Sequence, residues 1–213
     1  MRITRNLILT ILMALTASVS VAKEKTDVKY LAGAVPEENG IIVFRKNFTV
    51  QDMDEKEMRD ILKTCTEEIV SASIKGVRSR LISDGTEDGT IVAKVEEYMV
   101  FSNKFLNLDR TRFRYQISGS VEGNKVRLQL SQISYYYNEN MDGEGGITYK
   151  AEEWISDKEA VSTSGKKLYP RSKKFRIKTI DRVEEIFNGY MDRFDKNYDK
   201  ETGQKKRTGV VEE

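Results

Sequence analysis

Side-chain catalysis needs a base, a nucleophile or a metal ligand, and this sequence is short of all three in their usual forms. It holds no histidine and a single cysteine, Cys65. Triads built on imidazole and most zinc or thiolate metal sites are therefore excluded, and no disulfide can form within the chain. No cofactor is implied. Cys65 falls on an apolar helical stripe with no histidine to activate it, so it reads as a small buried hydrophobe. Carboxylates are abundant, and the pairs Glu96-Glu97 and Glu152-Glu153 are the first place to look for acid and base work. Neighbours on a strand point to opposite faces, so neither pair converges on one substrate unless the backbone is irregular there.

Two glycine-rich stretches carry weaker signals. Gly143-Glu144-Gly145-Gly146 lacks the lysine and helix of a phosphate-binding loop, and its acid would repel phosphate. The run from Asp84 to Gly89 has the acids and glycines of a calcium loop without the alternating ligand spacing, and reads as a turn. Binding chemistry is better represented than catalytic chemistry. Tyr135, Tyr136 and Tyr137 form an aromatic cluster that could stack on a sugar or line an apolar pocket, and Trp154 is the only tryptophan. From Lys166 to Arg182 basic residues, among them Lys173, Lys174 and Arg176, face a single acid, Asp181. The segment from Asp52 to Glu68 is acidic, so the two are expected either to compensate each other or to be solvated. The sharper reading gives the basic segment an anionic or acidic partner. Trp154, Tyr135, Tyr136, Tyr137, Lys173, Lys174 and Arg176 are the candidate ligand-binding residues.

Charged residues make up 33% of the chain and hydrophobic ones 38%, a composition for a folded domain with a charged surface. Arg2 and Arg5 precede an apolar stretch from Leu7 to Leu15 and small residues ending at Ala22, the order of a cleavable secretory signal. The apolar run is shorter than a bilayer-spanning helix requires. Residues 1–22 are thus expected to be a signal peptide, 23–39 a polar leader, 40–195 one domain and 196–213 a flexible charged tail. Cleavage leaves no transmembrane span, no cysteine at the junction for lipid attachment and no net charge to favour nucleic acid.

Within the domain, Ile41 to Val50 reads as a strand, and Asp52 and Asp54 as helix-capping residues. The helix they open, running to about Lys75, carries Met58, Ile61, Leu62, Cys65, Ile69 and Ala72 at steps of three and four. Two segments, Val77 to Ser83 and Thr90 to Phe101, form a hairpin. Thr111 to Val121 alternates, with Phe113, Tyr115 and Ile117 on one face and Arg112, Arg114 and Gln116 on the other. Gly123-Asn124 turns the chain back into Val126, Leu128 and Leu130, after which the apolar parity shifts and places a β-bulge near Ser131 and Gln132. After a loop from Asn138 to Gly146 and a short element over Tyr149 to Ile155, a second amphipathic helix starts near Ser172. Asp181 and Glu184 have the spacing of a capping box, which applies if the helix instead begins there.

The element order is strand, helix, four strands, helix. An α+β fold with an antiparallel sheet, covered on one face by two amphipathic helices, buries every apolar stripe; this is the order of TBP-like and helix-grip folds. The run Tyr149-Lys150-Ala151-Glu152-Glu153-Trp154-Ile155-Ser156-Asp157-Lys158-Glu159-Ala160, then Lys173-Lys174-Phe175-Arg176 and the helix through Phe187, resembles exported Bacteroidetes proteins known as a domain of unknown function with a TBP-like fold. Gly40-Ile41-Ile42-Val43-Phe44, leading into the first helix, is similar as well. The resemblance implies a TBP-like topology over most of residues 36 to 195 and carries no site residues. Fold alone does not imply nucleic-acid binding. The sequence thus points to an exported envelope protein, periplasmic or secreted. It is expected to act as a non-enzymatic binding or interaction module for an envelope protein, a glycan or an apolar ligand. The other readings are a structural component assembling through sheet edges and a carboxylate-dependent enzyme acting on glycans.

Overall fold

A computed structural model describes residues 26–74, 78–104, 107–139, 145–195 and 210–212. The expected signal peptide lies outside the described residues, as do most of the loop after Asn138 and the tail over 196–209. The architecture is the expected one. A small hairpin, β1 (Glu37–Glu38) and β2 (Ile41–Ile42), turns on Asn39 and Gly40, both with positive φ. It leads into β3 (Phe44–Val50) and the helix α1 (Glu55–Ala72). Four strands follow, β4 (Arg80–Asp84), β5 (Thr90–Lys104), β6 (Asn107–Glu122) and β7 (Lys125–Tyr137). Then come β8 (Ile147–Lys150), a single turn of helix α2 (Asp157–Ala160), the long helix α3 (Pro170–Phe194) and a short C-terminal strand β9 (Val210–Glu212).

The main sheet runs β4-β5-β6-β7-β3-β9, with antiparallel pairing at each step. β7 is long enough to serve two partners along one edge: β3 pairs with Lys125 to Leu130, and β8 with Ser134 to Tyr137. Between them lies the bulge that the parity shift locates. Arg114 pairs with Ser134 but Gln116 with Ser131, and Gln132 sits at φ 53. An extra residue here lets Val126, Leu128 and Leu130, then Ile133 and Tyr135, all face the core.

Both long helices cover one face of this sheet. α1 is capped by Asp54, whose side chain accepts from the Glu57 amide at 2.8 Å. It buries Met58, Leu62, Cys65 and Thr66, while Ala72 at its end is exposed. α3 begins at Pro170, suited to the first helical turn because its missing N–H would be unpaired there anyway. That start removes Asp181 and Glu184 from any capping role. Both instead accept from Lys29 Nζ, at 2.8 and 3.2 Å, and Asp181 also accepts from the Tyr30 hydroxyl.

The ends of the chain depart from the sequence reading. Part of the expected leader belongs to the folded body: Val35 is buried, and the turn at Val28–Tyr30 is tied to α3 through Lys29 and Tyr30. Val210–Glu212, within the expected tail, pairs with Phe48 to Val50 and extends the sheet. Short polar segments show no apolar periodicity, so neither attachment is visible as a pattern.

Candidate binding face

The sheet has two faces, and alternation assigns every side chain to one of them. The face under the helices holds the aromatic core. Phe175 on α3 is its hub, with ring centroids 4.6 Å from Phe101, 5.0 Å from Tyr135, 5.4 Å from Tyr137 and 5.5 Å from Trp154. Charges that enter this layer bring a built-in partner. The Arg182 guanidinium donates to both oxygens of Glu97, at 2.8 and 2.9 Å.

This core absorbs several of the residues that the sequence nominates for ligand contact. Tyr135 is wholly buried and shares a 2.7 Å hydrogen bond with Thr179. Arg176 is also wholly buried. It donates to the carbonyls of Tyr30, Leu31 and Ile155 and to Asp157, at 2.6 to 2.7 Å, and so clamps the N-terminal segment to α3. Burial pulls its pKa down and Asp157 opposes that. Lys174 lies over Phe101 and Tyr137 and donates to Asp109 and the Tyr137 hydroxyl at 2.7 and 2.6 Å. Burial alone would lower its pKa, but these partners hold it above the ordinary lysine range. Trp154 stacks on Tyr149 at 4.3 Å beneath the Arg171 guanidinium, and its buried Nε1 has no hydrogen-bond partner among the described residues. Lys173 is exposed on α3, and Tyr136 points to the other face of the sheet. Within the basic segment Arg171, Lys174, Arg176 and Arg182 are answered by acids and carbonyls of other elements, while Lys166, Lys167, Lys173 and Lys178 are exposed. An ion pair between Arg193 and Glu68 joins α3 to α1.

The opposite face carries no helix among the described residues, and its side chains are set by strand register. Arg80 lies opposite Lys94, Lys94 opposite Gln116, and Gln116 opposite Ser131. The next row is Glu96, Arg114, Ser134 and Lys150, and the one after it Tyr98, Arg112, Tyr136 and Thr148. Glu96 is 1% exposed although it belongs to this open face. It is buried because Arg114 Nε donates to one of its oxygens at 2.7 Å and Arg112 Nη1 to the other at 3.2 Å. Arg112 also donates from Nε to Glu139, and Arg110 stacks over the Tyr98 ring at 3.8 Å. Burial acts to lower the Arg112 pKa, but Glu139 and Glu96 outweigh it and raise it. Glu96 and Glu97 thus point to opposite faces, as alternation requires, and their carboxylates bind different arginines.

Beside this network lies a cavity of about 460 Å³ lined by Arg78, Arg80, Lys94, Glu96, Arg114, Gln116 and Gln132, together with Val95 and Tyr115. Arg78, Arg80 and Lys94 are exposed and have no ion-pair partner among the described residues. A larger groove of about 690 Å³ opens between the outer surfaces of α1 and α3, bordered by Glu68, Asp181, Glu184, Glu185 and Asp192, with Arg182 and Arg193 among them, so that acids outnumber bases. The molecule therefore presents an acidic groove on its helical side and a basic cavity on its open sheet face. Among the described residues no cluster of three His, Cys, Asp or Glu side chains is arranged to hold a metal ion. No helix in them is long and apolar enough to cross a membrane.

Sequence reasoning identifies the polar side of β6 but not the cavity. Arg80 and Lys94 come from separate strands, and only register brings them beside Arg114. The parity break at Gln132 is the available signal, since a left-handed non-glycine residue is uncommon and such residues cluster at functional sites.

Comparison with known proteins agrees with this fold. Residues 44–136 match the model of a domain of unknown function with TBP-like fold, DUF4468. A crystal structure of a DUF4468 family protein from Bacteroides ovatus is 33% identical, aligns over 86% of this chain and 99% of its own, and superposes with a TM-score of 0.74. A TBP-like protein from Parabacteroides distasonis, 21% identical over 75% of this chain and 96% of its own, superposes at 0.60 and supports the fold alone. No curated protein matches the chain.

Proposed function

The chain belongs to the DUF4468 family, a domain with no assigned biochemical role, and from that premise we propose that it is an exported, non-enzymatic binding module whose uncovered sheet face receives a polar ligand. One observation carries the reading: the face without helices holds a concave site whose lining includes three cations, Arg78, Arg80 and Lys94, that no acid among the described residues answers. Its volume of about 460 Å³ falls within the ~300–1,000 Å³ usual for ligand sites. Its carboxylate, Glu96, is held between two guanidiniums, which suits it to organising arginines rather than to exchanging protons with a substrate. Export rests on the N-terminal order of basic, apolar and small residues.

Thermal unfolding of residues 23–213 with envelope-derived glycans and peptides tests the binding reading, with Gln116→Tyr as a variant that obstructs the cavity it lines. A ligand at a hundredfold excess over its Kd raises stability by about 2.7 kcal/mol. The expected result is a shift from one chemical class that Gln116→Tyr abolishes. A shift that survives Gln116→Tyr would place the site elsewhere, and turnover of the ligand would replace the binding reading with an enzymatic one. Cell fractionation tests export: the chain is expected outside the cytoplasm and shortened by its first 22 residues.

A further inference from the structure

We infer that the cavity over β4, β5 and β6 is a site for a ligand carrying more than one oxyanion group, of the phosphate or sulfate type. This rests on the open face being the binding surface and adds the chemistry of its occupant. The first support is a conflict within the sheet. Register places Arg80 directly opposite Lys94, and like charges so placed destabilise a strand pair. An acid at either position would form a favourable cross-strand pair, so fold stability does not account for the two cations. Arg78 precedes β4 by two residues and lines the same cavity, adding a third unanswered charge.

The second support lies in what surrounds them. Arg114 is fixed by the bond from its Nε to buried Glu96, while Arg112 grips the other oxygen of that acid. A guanidinium held in this way loses little further freedom when it meets a ligand, and its fork suits oxyanion geometry. Gln116 and Gln132 add amide groups to the wall, and Gln132 is held there at φ 53 by the bulge. A monovalent anion would leave most of this positive charge unanswered. A ligand with two or more oxyanion groups answers Arg78, Arg80 and Lys94 together. An apolar ligand would desolvate those charges without pairing them, which is costly.

Calorimetric titration of residues 23–213 at fixed ionic strength tests the assignment, with sodium pyrophosphate, a disulfated disaccharide and potassium chloride as probes. The double variant Arg80→Gln/Lys94→Gln removes two cations from the cavity. Lys173→Gln/Lys178→Gln removes the same charge from α3 and controls for general electrostatics. Saturable one-to-one binding of pyrophosphate or the disaccharide is expected, the preference between them identifying the phosphate or sulfate source. Affinity should fall about tenfold for each cation removed from the cavity and stay within about twofold in the α3 control. Absence of saturable binding by both oxyanion probes would overturn the inference, as would equal losses in the two double variants. If the oxyanions fail while Gln116→Tyr still abolishes binding of an envelope ligand, the anion assignment falls and the open face stands. If that ligand is indifferent to Gln116→Tyr, both fall.

Discussion

The two faces of the one sheet treat charge in opposite ways. Under the helices, charges that enter the layer meet partners placed by other elements: Glu97 with Arg182, Lys174 with Asp109, and Arg176 with three carbonyls and Asp157. Of these charges Arg176 is wholly buried, so removing its partners would leave it uncompensated out of water, at a cost of about 3–5 kcal/mol. On the open face Glu96 is satisfied in the same manner, yet Arg78, Arg80 and Lys94 stand beside it with no acid paired to them among the described residues. Solvent makes that arrangement tolerable, but does not supply a reason for it. Side chains that stability does not explain are the ones to examine for function.

Substitutions that separate the faces should differ most at the aromatic hub. Phe175→Ala removes a wholly enclosed ring and is expected to lower stability by about 3–5 kcal/mol in denaturant unfolding. A loss below about 1 kcal/mol would mean that the helices do not close this face as described. The covered face should also be sensitive to alkali. Burial raises the pKa of Tyr135, Tyr190 and Tyr115 above the ordinary tyrosine value of about 10. A folded pKa above the unfolded one gives stability that is present below the unfolded value and lost as pH rises through the folded one. Unfolding free energy should thus fall steadily above about pH 10, and Tyr190→Phe should make that fall shallower.

The sharpest contrast lies between neighbours on β6. A methyl group at Gly119 would come 2.8 Å from Leu62 Cδ1 and 3.2 Å from Leu128 Cδ2, so Gly119→Ala should cost about 1–3 kcal/mol. Ser118→Ala, one residue away on the open face, should change stability by no more than about 0.5 kcal/mol. Equal effects at the two positions would remove the distinction between the faces. Smallest of all should be Arg80→Gln/Lys94→Gln. Relieving their repulsion should leave unfolding free energy unchanged or raise it by a few tenths of a kcal/mol.

Much of this fold is legible in the sequence because the period of burial is. Phe113, Tyr115 and Ile117 alternate with Arg112, Arg114 and Gln116 as a strand with one covered face must, and the parity break after Leu130 locates the bulge at Gln132. Legibility fails where a polar residue does the work of the core. Arg176 lies on the buried stripe of α3, but a buried base cannot be told from a solvated one until the carbonyls it binds are in place. The capping spacing inside α3 misleads for a related reason. Asp181 and Glu184 have capping spacing, yet they serve Lys29 from mid-helix. The basic cavity is less legible still. Its cations come from β4, β5 and the chain before β4, and strand register rather than sequence spacing makes them neighbours of Arg114.

Hydrogen exchange of residues 23–213 with and without saturating pyrophosphate tests most directly whether the open face is the functional one. The account predicts slower exchange in β4, β5 and the adjoining part of β6, with α1 and α3 unchanged. Protection confined to α1 and α3, around the groove bordered by Glu68 and Asp192, would contradict it.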